Sequence, residues 1–494
     1  MDRRAVLAGL AGVVGWGVLN PGPAVALDGS EPLAPRSSTR PRGRPPADAQ
    51  QLVDAARLGG QVAFAALASD GTLLDARAAE TALPAASTLK TVTALYALHR
   101  LGAGQRFATR VRLDGETLIL EGGGDPVMDS DALAVLAADT AAAVGARPVT
   151  RFEVWGGALP RMEQIAPGQA VHLPYNPALS GMMLNFNRVH LDWRGGRGDL
   201  RLALTARGSK VAPPAYTARV RPDDRSTPLF AYDGEGPVEQ WTLARRGIGP
   251  SGTRWLPVRR PELYAGDVFQ TLCRAKGLAL PTPEVADLPP KGEEVARYES
   301  PRLQQILRGM LVYSTNLTAE AVGLAASGAG DLRASGAAMA DWLRAQHVSG
   351  SYAFADHSGL SPDSRISAAS LTRMLAGPGR AAGLADLLRA DPLADMLGAQ
   401  SGGRTIRAKT GTLNFVSNLA GYGPDGISFA ILTADAARRA ATHGAEQPQG
   451  VIAWTIRSKR LQRDLVDRFW RLSSRDAAGK SGNATERQSL TGSY

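Results

Sequence analysis

Two lysines in this chain stand where an amine could do chemistry. Ser87-Thr88-Leu89-Lys90 sets an amine three residues after a hydroxyl, and Lys409-Thr410-Gly411 offers a second amine far along the chain, with Ser314-Thr315-Asn316 between them. Only seven of the 56 basic side chains are lysine. A guanidinium does not release its proton in a protein, whereas an ammonium can, so a chain that otherwise uses arginine has kept lysine where an adjustable pKa is useful. Lys90 is the only lysine preceded by a serine at that distance, and Lys409 the only one in Lys-Thr-Gly.

Each motif alone has a plain structural reading. Ser-x-x-Lys also describes a helix N-cap followed by a solvated lysine, Asn316 or Thr318 could cap a helix, and Lys409 with Gly411 could be an edge strand running into a turn. The chemical reading is more specific. Pro84-Ala85-Ala86 leads into a helix with Val92, Leu95, Ala97 and Leu98, which places Ser87 in the first turn, at the positive end of the helix dipole. Lys90 then lies one turn on, beside the Ser87 hydroxyl. A neutral Lys90 amine could take the hydroxyl proton, and the helix terminus and a second cation, Lys409, would lower its pKa. Ser314 could relay a proton to a leaving amine, and Asn316 could hold both Lys90 and a substrate carbonyl. Lys409 keeps its proton in this reading and attracts a substrate carboxylate, to which Thr410 donates a hydrogen bond. Gly411 lets the strand and the Ser87 helix approach closely, and the N–H groups of Ser87 and Thr412 form an oxyanion hole.

The elements that must hold these groups can be outlined from periodicity. Helical spacing covers Asp48 to Leu58 and Ser87 to Leu101, and strands are expected at Val62 to Leu67 and Thr72 to Arg77. Short strands then follow at Arg106 to Leu113, Glu116 to Leu120, Phe152 to Trp155, Arg188 to Trp193 and Leu200 to Ala206, with one helix at Ser130 to Val144. Helices return at Pro261 to Lys276, Arg302 to Tyr313, Thr318 to Ser327 and Leu332 to His347. Three strands (Arg404 to Gly411, Val416 to Tyr422, Ile427 to Ala434) and a helix from Arg457 to Leu472 close the pattern. Strands at both ends with helices between them predict an α+β domain over 48–115 and 291–474, interrupted by a large β-rich insertion over 116–290 that follows the Ser87 helix.

Taken together, the three motifs in this order are the set found in β-lactamases and penicillin-binding proteins. The chain resembles the D-alanyl-D-alanine carboxypeptidase/endopeptidase family, the low-molecular-mass class C penicillin-binding proteins. Further segments carry the resemblance: Gly122-Gly123-Gly124-Asp125-Pro126, Asn185-Phe186-Asn187, Trp255-Leu256-Pro257-Val258, Tyr264-Ala265-Gly266 and Asp356-His357-Ser358-Gly359-Leu360-Ser361. It spans roughly residues 48–472. The resemblance implies a serine D,D-peptidase/β-lactamase-like fold, an antiparallel sheet flanked by helices. It also implies hydrolysis of D-Ala-D-Ala termini and cross-bridges of peptidoglycan stem peptides through a seryl acyl-enzyme, with β-lactams as inhibitors and no cofactor. Two positions depart from the family pattern. Thr315 replaces a more usual Asp or Asn, and His357 stands where Gly is common and is expected to be an exposed variant.

Rival readings are a serine β-lactamase and a non-catalytic peptidoglycan-binding protein. The first is opposed by the large insertion and by the lack of a Glu-x-x-Leu-Asn element after Ser314; the second predicts no D-Ala release. No His-Glu-x-x-His or i,i+4 histidine pair occurs, which argues against a metallopeptidase. A net charge of +10 is carried by scattered arginines with no basic helix, so nucleic acid is not an expected partner. Asp2-Arg3-Arg4, the apolar run Ala5 to Leu19 and Ala24-Val25-Ala26 form an export signal over 1–26, by the twin-arginine or the general route, to the periplasm. No integral membrane segment is expected after its removal. Residues 27–47 read as a flexible leader and 475–494 as a disordered tail, and Cys273, the single cysteine, has no disulfide partner in the chain.

Overall fold

Strand Gln61–Leu67 alternates between two apolar faces, and that alternation fixes the layers on either side of it. Val62, Phe64 and Ala66 point to one core, Ala63 and Ala65 to another. A strand buried on both faces must be central. It pairs with Ser428–Ala434 on one side and Leu73–Arg77 on the other, within a six-stranded sheet. The sheet continues through Val416–Tyr422, Arg407–Leu413 and Arg389–Ala390, with every neighbouring pair antiparallel. The computed structural model describes residues 48–489 apart from 196–198, 237, 399–404 and 443. The expected export signal and leader lie outside the described residues.

Two helical layers cover this sheet. On one face, Phe64, Leu419, Phe429 and Ile431 pack against Trp454, Leu461, Leu465 and Phe469 of the closing helix. Fully burying aromatic side chains of this kind contributes about 3 kcal/mol each, and the Trp454 indole N–H is satisfied by the Leu58 carbonyl at 2.8 Å. That helix, Val451–Ser489, is longer than the expected Arg457 to Leu472 and runs through most of the stretch whose composition suggested a disordered tail. On the other face lie helices Leu89–Leu101, Leu303–Tyr313, Asn316–Ser327, Leu332–Ala345 and Ala368–Met374, which share a core with Ala63, Ala65, Ala420, Ala430 and Leu432. The architecture is α+β, an antiparallel sheet between helices.

Between the Ser87 helix and Leu303 the chain builds separate sheets. A five-stranded mixed sheet orders Pro283–Ala286, Arg151–Trp155, Thr117–Glu121, Ala108–Asp114 and Glu293–Glu299. Helices Ser130–Val144 and Pro261–Arg274 share its core through Leu133, Leu136, Tyr264, Val268 and Phe269. Two three-stranded sheets complete the segment, one of Ser251–Pro257, Arg188–Arg194 and Arg201–Thr205, the other of Phe230–Asp233, Glu239–Ala244 and Ala218–Asp223. Sequence periodicity does not mark this last sheet, because most of its positions are at least partly exposed and Arg219, Arg221, Asp223 and Asp233 place charges on its strands. Among the described residues no helix is long and apolar enough to cross a membrane.

Candidate active site

Ser87 sits in a 3-10 turn, Ala86–Thr88, that leads straight into helix Leu89–Leu101. The turn is strained and held from beneath. Ala86 adopts φ 45°, a left-handed conformation that costs a non-glycine residue on the order of 1–3 kcal/mol. Asn418, fully buried on the adjacent strand, donates to the Pro84 and Ala85 carbonyls at 2.9 Å each, while its Oδ1 accepts from Thr433 N at 3.1 Å. Strand Arg407–Leu413 runs against the same turn. A Cβ on Gly411 would lie 3.0 Å from Thr88 N and 3.1 Å from Ser87 N, so a larger residue there would push strand and turn apart.

One helical turn past Ser87, the Lys90 ammonium is fully buried and donates three hydrogen bonds: to Ser87 Oγ at 3.0 Å, to Asn316 Oδ1 at 2.8 Å and to the Ser358 carbonyl at 2.8 Å. Asn316 opens helix Asn316–Ser327, and its Nδ2 donates to the Tyr175 carbonyl at 3.0 Å. Ser314 ends the preceding helix in a left-handed conformation, φ 60° and ψ 36°. That geometry turns its hydroxyl to Lys409, whose Nζ donates to Ser314 Oγ at 2.9 Å and to the Thr410 carbonyl at 2.8 Å. Thr315, at the N-cap of the Asn316 helix, makes no capping bond with its side chain.

The structure thus collects the residues singled out from sequence into two hydrogen-bonded groups, Ser87 with Lys90 and Asn316, and Lys409 with Ser314. Thr410 and Thr412 lie on the same strand, Thr410 half-buried and Thr412 exposed. Among the described residues, their side chains join neither group.

Electrostatics divides the two lysines. Burial lowers the Lys90 pKa to about 8, against the opposing pull of Glu320 and Asp356, which raise it. Glu320 and Asp356 are themselves raised by burial, and Lys90 holds both down. The two Glu320 oxygens accept the His357 N–H at 2.8 Å and the Ser358 N–H at 2.9 Å, an arrangement suited to the charged carboxylate. Asp356 accepts from Ser361 N at 2.7 Å, Gly359 N at 3.2 Å and the Ser364 hydroxyl. Among the described residues Lys409 has no carboxylate partner of this kind. Burial lowers its pKa well below the usual lysine range, and Lys90, Lys459 and Arg389 push the same way. Repulsion between the two lysines is mutual, but only at Lys90 is it set against two carboxylates, so Lys409 is driven further toward the neutral amine.

His357 also departs from expectation, because it is completely buried. Gly323 of the facing helix makes the room: a Cβ there would lie 2.2 Å from the imidazole. The ring shares a 2.6 Å hydrogen bond with Ser335 Oγ and stacks on Tyr96, and burial depresses its pKa to about 3. Its own carbonyl accepts from Thr93 Oγ1 at 2.7 Å. The residues that sequence reasoning did not assign to the site are Glu320, Asp356, Asn418 and the Tyr175 carbonyl. A single carboxylate in the apolar helical run from Leu317 to Leu324 is the one signal that marks Glu320.

Residues 48–448 match the D-Ala-D-Ala carboxypeptidase 3 (S13) family. No curated protein matches the chain by sequence. Among solved structures, penicillin-binding protein 4 (dacB) from Haemophilus influenzae is similar with a TM-score of 0.67 at 17% identity, covering 85% of this chain and 99% of that one. The same protein complexed with a β-lactam gives 0.63 at 17% identity over the same shares. Bd3459, a peptidoglycan endopeptidase from Bdellovibrio bacteriovorus, has a TM-score of 0.43 at 16% identity, covering 82% and 93%. At these identities the likeness is one of fold.

Proposed function

We propose that this chain, which belongs to the D-Ala-D-Ala carboxypeptidase 3 (S13) family and is a serine-type D-Ala-D-Ala carboxypeptidase, works through a seryl acyl-enzyme on Ser87 that β-lactams trap. The observation that carries this reading is the 3.0 Å hydrogen bond between Lys90 Nζ and Ser87 Oγ, made by a buried amine whose pKa is lowered to about 8. In the reaction, Lys90 takes the Ser87 proton as Oγ adds to the penultimate D-Ala carbonyl. The N–H groups of Ser87 and Thr412 receive the developing oxyanion. The proton that Lys90 took returns through the Ser314 hydroxyl, held by Lys409, to the leaving D-Ala amine as the C–N bond breaks. Asn316 aligns Lys90 and the substrate carbonyl, and Lys409 with Thr410 binds the terminal carboxylate. Water then adds to the ester, and the acid and Ser87 are released.

The same chemistry serves cross-bridges of peptidoglycan stem peptides, so endopeptidase action belongs to the proposal, as does a periplasmic location reached through the N-terminal signal. A division of the chain into a peptidase domain and an insertion is supported by the sheet pairing. Ala108–Asp114 and Glu293–Glu299 pair with each other inside the middle segment's sheet, so the insertion in this reading takes in both strands. Mass spectrometry of penicillin-treated protein tests the nucleophile. A stoichiometric adduct on the Ser87 peptide, absent from Ser87→Ala, is expected; an unmodified wild type, or a Ser87→Ala protein that is still acylated in the site, would overturn it.

A further inference from the structure

We infer that the loop 159–179 of the middle segment is a working part of the active site: its Tyr175 carbonyl fixes the amide of Asn316, and Arg259 is the positioning residue that fixes the loop. This rests on the reading of Ser87 and Lys90 given above. An amide side chain has an accepting and a donating end, and Asn316 is addressed at both. Its Oδ1 receives Lys90 Nζ at 2.8 Å, and its Nδ2 donates to Tyr175 O at 3.0 Å. A flipped amide would set its NH2 group against the ammonium and its oxygen against a carbonyl, two repulsive contacts. The hydrogen-bond pattern therefore assigns one orientation. It leaves Lys90 an acceptor on the side away from Ser358 and leaves one Nδ2 proton for a substrate carbonyl. A lysine bound by that acceptor is held beside Ser87.

The loop that supplies the carbonyl has no regular secondary structure over most of its length, so something else must make it rigid. Arg259 does so. Its guanidinium donates to three carbonyls of the loop, Glu163 O at 2.9 Å, Asn176 O at 2.8 Å and Val171 O at 2.6 Å, and the residue is only 8% exposed. Asn176, fully buried, adds a second brace: Oδ1 accepts Ala166 N at 2.8 Å and Nδ2 donates to Ala166 O at 3.0 Å. Leu159, Ile165, Ala166 and Leu179 of the loop share an apolar cluster with Leu317, Ala321 and Leu324 of the Asn316 helix. The loop is thus cored onto the very helix whose first residue it orients. This gives a role to a stretch that the catalytic residues leave unexplained, since Trp255-Leu256-Pro257-Val258 ends one residue before Arg259 and brings it to the loop.

The test is a double-mutant cycle on the rate of acylation by a fluorescent penicillin, in wild type, Arg259→Ala, Asn316→Ala and the double variant. Because small misplacements of a catalytic group are costly, Arg259→Ala should slow acylation roughly ten-fold or more in wild type, and less than about two-fold once Asn316 is already absent. Arg259→Lys, which keeps the charge but not the three-way fork, should fall between them. An unaltered rate in Arg259→Ala, or the same fold loss in both backgrounds, would overturn the inference. Thermal unfolding reports whether each variant folds; should Arg259→Ala fail, the cycle with Asn176→Ala decides on the same criteria. A wild type that is not acylated at Ser87 sinks the site reading itself, whereas an additive cycle in an acylated protein sinks only the role of the loop.

Discussion

Replacing Glu320 by Gln removes one of two carboxylates facing Lys90 while leaving Ser87, Asn316 and Lys409 in place. Glu320 Oε1 receives the Ser358 N–H at 2.9 Å, and the Ser358 carbonyl receives Lys90 Nζ at 2.8 Å. Only the backbone of Ser358 lies between the two charges, so their separation is on the order of 7 Å, within reach of a direct Coulomb interaction. At an effective dielectric of about 20 the lost attraction is on the order of 2 kcal/mol, or between about one and two pH units. The sign follows from which form Glu320 favours. A carboxylate stabilises the ammonium, so its loss lowers the Lys90 pKa, and the neutral base becomes available at lower pH. The rate constant for acylation by a labelled penicillin, measured against pH, should rise with a midpoint near the Lys90 value of about 8 in wild type. In Glu320→Gln that limb should move down by up to about one to two units, the full shift requiring that Glu320, itself raised to about 8 by burial, be ionised there. Its plateau should also fall, since Gln offers only one accepting oxygen to the two N–H groups that Glu320 now satisfies. A limb that stays put, or moves up, would mean that Glu320 carries no charge when Lys90 titrates and does not hold the ammonium.

Two further outcomes follow from buried groups. Lys409 is pushed down by burial and three neighbouring cations, so an arriving carboxylate should raise its pKa and draw in up to about one proton. Calorimetry of a D-Ala-D-Ala peptide binding to Ser87→Ala, run in buffers of different ionisation enthalpy, should show net proton uptake that is lost with a C-terminally amidated peptide; observed heats that are the same in every buffer would count against it. His357, depressed to about 3, stabilises the fold fully above the pKa of about 6.5 that it has when unfolded, and progressively less as pH falls. Relative to His357→Gln, wild type should lose about 2 kcal/mol of unfolding free energy between about pH 7.5 and pH 5, measured by urea titration; parallel pH profiles would exclude a neutral buried imidazole.

Much of the active site is readable in sequence because its residues lie on elements with strong periodicity. Ser87 and Lys90 share one apolar helix, Lys409 to Thr412 share one strand, and the chemistry of each side chain is fixed by its type. What escaped was set by partners distant in sequence. His357 reads as an exposed variant until Gly323, on another helix, is seen to vacate the volume that its ring fills. Glu320 is marked in sequence only as a lone carboxylate in an apolar helix, and the partners that explain its burial, the N–H groups of His357 and Ser358, lie 37 and 38 residues further on. The proton affinities of the two lysines depend on which carboxylates the fold brings near, and nothing local to Lys409 shows that it has none. The sheet of Ala218–Asp223, Phe230–Asp233 and Glu239–Ala244 is hidden for a related reason: cross-strand pairing supports strands whose own alternation is weak.

The antiparallel match of Gln61 with Ala434 has a meaning for time as well as for space. Those partners are roughly 370 residues apart, and loop closure of that length is slow. A ribosome that has delivered Ser87 and Lys90 has yet to make Lys409, the central partner of the first strand and the helix that packs behind both. The growing chain therefore contains Ser87, the proposed nucleophile, for most of its synthesis without the sheet against which the Ser87 turn must form. A chain cut short before the last sheet strand is therefore expected to lose the active site as a whole rather than weaken it.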